Sequence, residues 1–484
     1  MSLFATKSVD RIMADSESGA HHLKRTLGPL QLVALGIGAI IGAGLFSLTG
    51  VAAAQNSGPA VTLSMVVAAI GCVFAGLCYS EFSCMIPVSG SAYTYAYATL
   101  GEWIAWIIGW DLVIEYGIGS ATVSISWSAY VVSLLRTFGI NLPAQWIAGP
   151  FEAVQLPDGA MVQGYANVPA VIVVFLMSLL LMVGVKESAR TNAVVVMIKL
   201  AVVLVFIGAG WSYINPANHT PFLPPNTGEF GAFGISGVMM GAGTIFFAYI
   251  GFDAVSTAAQ ECKNPQRDMP IGIIGSLVVC TVLYLLFGYV LTGLVPYKEL
   301  GVAAPVALAI AKTPHVWLNN LVVFGIACGY TSVILVMLMG QSRVFYSMSR
   351  DGLIPKVFSE IHPKYGTPWR SNMLFFFIVA PFSALLPLSA VGRMTSIGTL
   401  FAFVIVCAGV WVMRVKNPDQ ARPFRTPWVP VVPILGVVVN FALMYSLGRA
   451  NWVRLIVWML IGQVIYFAYG RRHSHLRGKL PYRT

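Results

Sequence analysis

Charge is the scarcest property of this chain. Asp, Glu, Lys and Arg make up 10% of its 484 residues, and mean hydropathy is +0.78. A soluble domain of this length needs a far more charged surface, so the shortage excludes one and leaves a protein that crosses a membrane repeatedly. Acids are rarer still than bases, 18 against 29. The net charge of +11 resembles a nucleic-acid signal only until the basic residues are mapped onto loops. Cysteine is sparse: Cys72, Cys78, Cys84, Cys262, Cys280, Cys328 and Cys407 all fall in or beside apolar runs. None forms a CxxC or a zinc spacing, so they read as small core residues. HExxH and GxSxG are absent, and His21-His22 and His473-Ser474-His475 lie in polar tails. A membrane enzyme, a metal site and a cofactor are therefore not indicated. A cleavable signal peptide is lacking too, because the segment before the first apolar run carries Lys7, Arg11, Asp15, Glu17, Lys24 and Arg25.

What is plentiful is long apolar runs. They suggest spans near 32–56, 58–86, 101–134, 168–185, 191–214, 233–260, 271–295, 316–346, 371–388, 394–413, 429–447 and 451–469, twelve in all. Ala303–Lys312 is apolar but too short to cross, and reads as a helix lying at the surface. Twelve spans place both termini on one side. That side gathers Lys7, Arg11, Lys24, Arg25, Lys186, Arg190, Lys263, Arg267, Arg343, Arg350, Lys356, Lys364 and Arg370. Arg414, Lys416, Arg422, Arg425, Arg471, Arg472, Arg477, Lys479 and Arg483 join them, against Arg136, Lys298, Lys312, Arg393, Arg449 and Arg454 opposite. The asymmetry makes both termini cytoplasmic and accounts for the basic balance without nucleic acid. The expected organisation is a cytoplasmic segment over 1–30, a twelve-span domain over 31–470 and a cytoplasmic basic tail over 471–484.

The first run contains Leu35-Gly36-Ile37-Gly38-Ala39-Ile40-Ile41-Gly42-Ala43-Gly44-Leu45-Phe46, and glycine is costly inside a helix. Two readings fit. The glycines can permit close helix packing of the small-xxx-small kind. Alternatively the helix breaks here, freeing carbonyls on one half and N–H groups on the other. Such a break can hold a zwitterion, its ammonium on the carbonyls and its carboxylate at a helix N-terminus. A second irregular stretch, Gly241-Ala242-Gly243-Thr244-Ile245-Phe246-Phe247-Ala248-Tyr249-Ile250-Gly251-Phe252-Asp253, lies in the sixth run. Interrupted spans standing first and sixth are what a five-plus-five inverted repeat produces. Repeat one then covers about 31–214 and repeat two about 230–413, with spans eleven and twelve (about 429–469) added. A packing motif has no reason to recur at that offset, so the repeat favours the broken-helix reading.

Ionisable residues inside a membrane are costly and usually face a cavity or a partner. Lys199 lies mid-span with apolar neighbours, too far from the end to snorkel. Burial disfavours an ammonium and fits such a group to carry a proton; a permanently paired structural lysine is the alternative. Asp111 and Glu115 share a helix face. Glu115, one turn deeper, suits a relay, whereas Asp111 reads as a structural group near the cytoplasmic interface. Asp253 is placed to bond freed backbone at the second break. Glu81 reads as interfacial.

As a set, several stretches resemble the amino acid–polyamine–organocation transporters, and within them the bacterial cationic amino acid transporter subfamily. They are Gly38–Phe46, Gly109–Tyr116, Val185–Asn192, Phe247–Asp253, Arg343–Gly352 and Arg425–Pro430, and the resemblance covers nearly the whole chain. It implies an all-α integral membrane protein of LeuT-like fold, with spans one and six unwound at mid-membrane around an amino acid. Carried over by position, Ala43 and Gly44 offer N–H groups to the substrate carboxylate. The carbonyls of Ile40, Phe247, Ala248 and Ile250 take its ammonium, and the Phe247 ring gates the site. Lys199 matches a fifth-span lysine whose ammonium replaces a sodium ion. It is expected to reach the carbonyl around Gly42 and the hydroxyl of Ser332, or else Thr331. Tyr330 falls where side-chain length is limited and argues for small neutral substrates such as alanine; Glu115 points weakly toward cationic ones. The implied function is proton-coupled, sodium-independent import across the cell membrane. An exchanger of the same fold and a membrane amino acid sensor are the alternatives, and a small membrane subunit is an open partner beside membrane lipid.

Overall fold

The structure, a computed structural model, describes residues 3–8, 12, 27–86, 91–155, 161–184, 189–257, 259, 262–314 and 316–476. The His21-His22 pair, residues 185–188 of the Val185–Asn192 stretch and the basic tail from 477 onward lie outside the described residues. Within the described residues the chain is mostly helical. Seven helical stretches there are long and apolar enough to cross a membrane, and five shorter apolar helices accompany them. The expected all-α character has one exception, a short antiparallel hairpin in the loop after the third run. Its strands β1 (Ala153–Gln155) and β2 (Met161–Gln163) pair Val154 with Val162. Three-residue strands carry too little pattern to be read from sequence.

The first apolar run divides into α1 (Pro29–Ile40) and a second half built of a π turn (Gly44–Leu48), α2 (Thr49–Ala52) and another π turn (Ala53–Ser57). Then come α3 (Val61–Met85), α4 (Ser91–Thr99), α5 (Glu102–Leu112), a π turn (Val113–Ile118), α6 (Gly119–Thr137), α7 (Val168–Val183) and α8 (Ala189–Trp211). The sixth run divides likewise, into α9 (Gly234–Ile245), a 3-10 turn (Phe246–Tyr249) and α10 (Phe252–Thr257). After it stand α11 (Pro265–Leu294), α12 (Pro305–Ala311), α13 (Val316–Arg350), α14 (Trp369–Leu385), α15 (Leu388–Lys416), α16 (Val431–Ser446) and α17 (Arg449–Ile465).

The helices sort into two packed groups. α11 lies against α1 and α3, and α3 against α9, whereas α13 packs on α6 and α14 on α7. α15 and α16 pair with each other, and both also pack on α3 and α9, with α15 reaching α6 as well. Small residues set the distances in the first group: a Cβ on Gly36 would strike Ser276, and one on Gly272 would lie 2.7 Å from the Leu32 Cβ. Local signals end the helices. Asn167 accepts the Ala170 N–H at 3.2 Å to cap α7, and Gly184 closes that helix at φ +94.

Two peripheral groups prove to be buried. Glu81 is 2% exposed, gripped by Arg414 through bonds of 2.8 and 2.9 Å. The Thr426 N–H adds a bond of 2.8 Å, and Arg422 Nε stands 3.3 Å away. A carboxylate so far from water needs this shell, and the segment from Arg414 to Thr426 folds back over α3 to supply it. α12 does not lie at the surface either: Pro305, Val306, Ala307, Ala309 and Ile310 are buried. The glycine at 50 allows it, since a Cβ there would lie 2.6 Å from the Leu300 carbonyl oxygen and 2.7 Å from Pro305. The two ends of the described chain meet: Lys7 Nζ pairs with Asp351 at 3.0 Å, and the His475 N–H donates to the Asp351 carbonyl at 3.0 Å.

Candidate functional site

Both glycine-rich runs break. α1 ends at Ile40 because Ile41 turns extended (φ −70, ψ 109), and the Gly42 carbonyl then accepts the Leu45 and Phe46 N–H groups, each at 3.2 Å, to open the second half. In the sixth run Ile250 is extended (φ −60, ψ 134) and Gly251 takes φ +119. The broken spans touch at both points. A Cβ on Gly44 would fall on the Ala248 main chain, and one on Gly251 would sit 2.7 Å from the Ala39 carbonyl oxygen. The two readings of the first stretch are thus both realised, at different glycines. Gly36 and Gly38 pack against Ser276 and Val196, while Gly42 and Gly44 belong to the break.

A helix end leaves carbonyls to be satisfied. Tyr284 of α11 reaches two of them: its hydroxyl stands 3.1 Å from the Ile40 oxygen and 2.8 Å from the Ala248 oxygen. One proton serves one acceptor at a time, so this hydroxyl bridges the two interrupted spans and can yield either carbonyl. The Phe247 carbonyl accepts the Ile250 N–H at 3.3 Å. Ala43 precedes the π turn that Gly44 opens, so both stand at the start of the second half-span, where N–H groups are free of the α1 ladder. Phe247 and Ile250 are buried, at 4% and 3% exposure. Sequence reasoning missed Tyr284; its signal was a tyrosine deep in an apolar run, whose hydroxyl must find a partner.

Lys199 of α8 is 2% exposed and donates from Nζ to the Gly38 carbonyl at 2.8 Å. That acceptor lies one turn before the expected Gly42 carbonyl. The Gly42 carbonyl is occupied by main-chain N–H groups, while the Gly38 carbonyl lost its natural donor when α1 stopped at Ile40. The expected hydroxyls bond within their own helix: Ser332 donates to the Gly329 carbonyl at 2.8 Å, and Thr331 to the Ala327 carbonyl at 3.0 Å. Thr331 also accepts Trp127 Nε1 at 3.0 Å. Lys199 still bridges the two helix groups, because its stem lies on Gly329 of α13, where a Cβ would be 3.0 Å from Lys199 Cγ.

The acids gather below the second break. Asp253 accepts the Gly251 N–H at 3.3 Å and the Tyr116 hydroxyl at 3.0 Å, so it does bond freed backbone. Glu115 and Tyr116 stand on the π turn that interrupts the third run, a distortion that often marks functional positions. Glu115 is 1% exposed, and neither of its oxygens has a hydrogen-bond partner among the described residues. Asp111 is fully buried and equally without such a partner. Glu115 stands on the π turn and Asp111 one turn before it, and both side chains are buried. Buried unpaired carboxyls are costly, which singles out this pair within the polar interior.

On the other side of the break Tyr330 is fully buried, its hydroxyl 2.9 Å from Ser47 Oγ, which itself donates to the Ala303 carbonyl at 2.8 Å. The Phe46 and Tyr130 rings flank it, with centroids at 6.1 and 5.6 Å. The residues named from the sequence therefore fall into three clusters about one crossing: carbonyls with Tyr284, the Lys199 ammonium, and an aromatic wall around Tyr330. Glu115 joins Asp253 on the opposite side of that wall.

Comparison with known proteins places this geometry. A family model described as amino acid permease matches residues 27–466. The branched-chain amino acid permease BcaP of Bacillus subtilis (strain 168) is 45% identical, over 98% of this chain and 99% of its own length. The methylthioribose transporter of the same organism is 42% identical, over 98% and 99%. The vacuolar cationic amino acid transporter 2 of Arabidopsis thaliana is 37% identical, over 98% and 93%.

Proposed function

The chain belongs to the amino acid permease family of the amino acid–polyamine–organocation superfamily, and from that membership we propose that it imports small neutral L-amino acids, coupled to protons. The proposed organisation is twelve spans over 31–470, the first ten forming a five-plus-five inverted repeat of LeuT-like fold, with both termini cytoplasmic. It rests on the two breaks at Ile41 and Gly251, and on the crowding of basic residues on one side of the chain.

The observation that carries the reading is the Lys199 bond to the Gly38 carbonyl beside the crossing of the broken spans. The substrate carboxylate takes the N–H groups of Ala43 and Gly44. Its ammonium displaces the Tyr284 hydroxyl from the Ile40 and Ala248 carbonyls, with those of Phe247 and Ile250 adjoining. Loss of the Lys199 proton releases α1 from α8 and α13 and lets the groups rearrange. Glu115 relays charge on the cytoplasmic side. Tyr330 bounds the side-chain compartment with aromatic rings and one serine hydroxyl, which favours neutral over cationic substrates; relatives named branched-chain permeases agree with that direction.

Purified protein in liposomes, given labelled alanine, leucine and arginine with and without an inward proton gradient, tests the proposal. Gradient-driven accumulation of alanine is expected. Exchange without accumulation would replace import by an exchanger, and binding without uptake would indicate a sensor. A relative named for methylthioribose favours a second reading, a small polar solute other than an amino acid, which the same liposomes test with that solute.

A further inference from the structure

Away from the crossing, a cavity of about 490 Å³ lies where α16 meets α17, at the end of the protein opposite the meeting of its termini. Phe230, Phe441, Tyr445, Gly448, Arg449 and Trp452 line it. A second cavity, of about 300 Å³, lies next along α17, and Phe441 and Trp452, whose rings touch at 5.6 Å between centroids, line both. The second is wholly apolar where Val404 of α15, Met444 of α16 and Leu455, Met459 and Leu460 of α17 face one another, and it ends at Gln463.

Three features fix what fits. The groove descends α17 from Arg449 to Gln463, about 21 Å at 1.5 Å per residue. One bilayer leaflet, headgroup region included, is about 20–22 Å deep. Arg449 is exposed at the top and forms no ion pair among the described residues, whereas the lining of the second cavity is apolar down to Gln463. Tyr445 and Trp452 stand beside it, amphipathic rings at the depth where such rings favour the interface. Trp452 is fixed there by a bond of 2.9 Å from Nε1 to the Met444 carbonyl.

We propose that this groove is a binding site for one membrane phospholipid with an anionic headgroup, its phosphate on Arg449 and one acyl chain laid between α16 and α17 down to Gln463. A cation above a slot one leaflet long matches the two ends of such a molecule. A sterol or a second protein copy would leave the arginine without a counter-charge.

The test is native mass spectrometry of the full chain released from mild detergent, titrated with phosphatidylglycerol or with phosphatidylcholine of the same acyl chains. One phosphatidylglycerol is expected to remain bound, preferred about fivefold, the effect of one arginine near an anionic surface. Arg449→Gln, on an exposed side chain, abolishes the preference while leaving alanine uptake unchanged. Leu460→Trp fills the slot and abolishes retention of either lipid. Equal retention of the two lipids, an unchanged preference in Arg449→Gln, or a dimer that disappears with Leu460→Trp overturns the proposal.

Discussion

Replacing Lys199 by Met tests the coupling directly, because it deletes the ammonium and keeps an unbranched apolar stem for the contact with Gly329. The bond lost is the 2.8 Å contact to the Gly38 carbonyl. A hydrogen bond to a charged group contributes about 1.5–3 kcal/mol, equivalent to about ten- to 150-fold in an equilibrium constant. If the bond holds one arrangement of α1 against α13, protonating and deprotonating the lysine moves the balance of arrangements by that factor. An inward gradient of about one pH unit supplies about 1.4 kcal/mol, so one proton per substrate sustains about tenfold accumulation. In liposomes carrying that gradient, wild-type protein is expected to concentrate labelled alanine about tenfold. The variant is expected to equilibrate it near unity while still exchanging internal for external alanine. Undiminished accumulation by Lys199→Met would refute the assignment.

Four further outcomes follow from named contacts. Tyr330→Ser removes a ring from the aromatic wall and should lower the alanine-to-arginine uptake ratio about tenfold, the usual discrimination of an apolar pocket; an unchanged ratio removes Tyr330 from the site. Gly44→Ala pushes a methyl group onto the Ala248 main chain, costing about 1–3 kcal/mol of stability and most of the uptake; a fully active variant would contradict the close approach. Glu81→Ala leaves the buried Arg422 and the half-buried Arg414 without their acid, a loss of about 3 kcal/mol, read as a lower midpoint in thermal unfolding. Glu152, in the loop beside the β hairpin, has its carboxyl pushed up by burial, with hydrogen bonds from the Leu388 and Gly149 main chain acting the other way. A raised folded value favours the folded state below the unfolded value of about 4.3, and that contribution is lost as pH rises through the folded value. Glu152→Gln should therefore raise the melting temperature at neutral pH and leave it unchanged near pH 4.

The acids show where reading a sequence falls short. Hydropathy treats Glu81 and Asp111 alike, as charges near the ends of apolar runs. Packing separates them: a returning loop brings two arginines to Glu81, whereas Asp111 is buried with no hydrogen-bond partner among the described residues. The loop's return does not alter the apolar pattern.

Some features are local, and the sequence determined those by itself. Too little charge for a soluble surface makes the chain a membrane protein, and the glycine-rich stretches of the first and sixth runs mark where a helix is weakest. These follow from transfer and backbone energies, which each residue carries wherever it sits. Which carbonyl meets which donor was decided only by the fold. Lys199 bonds the Gly38 carbonyl, and Tyr284 spans Ile40 and Ala248, because a hydrogen bond depends on ångström-scale distance between segments far apart in the chain. That distance is set by how α8 and α11 pack on the broken halves of α1 and α9, a property no single run contains.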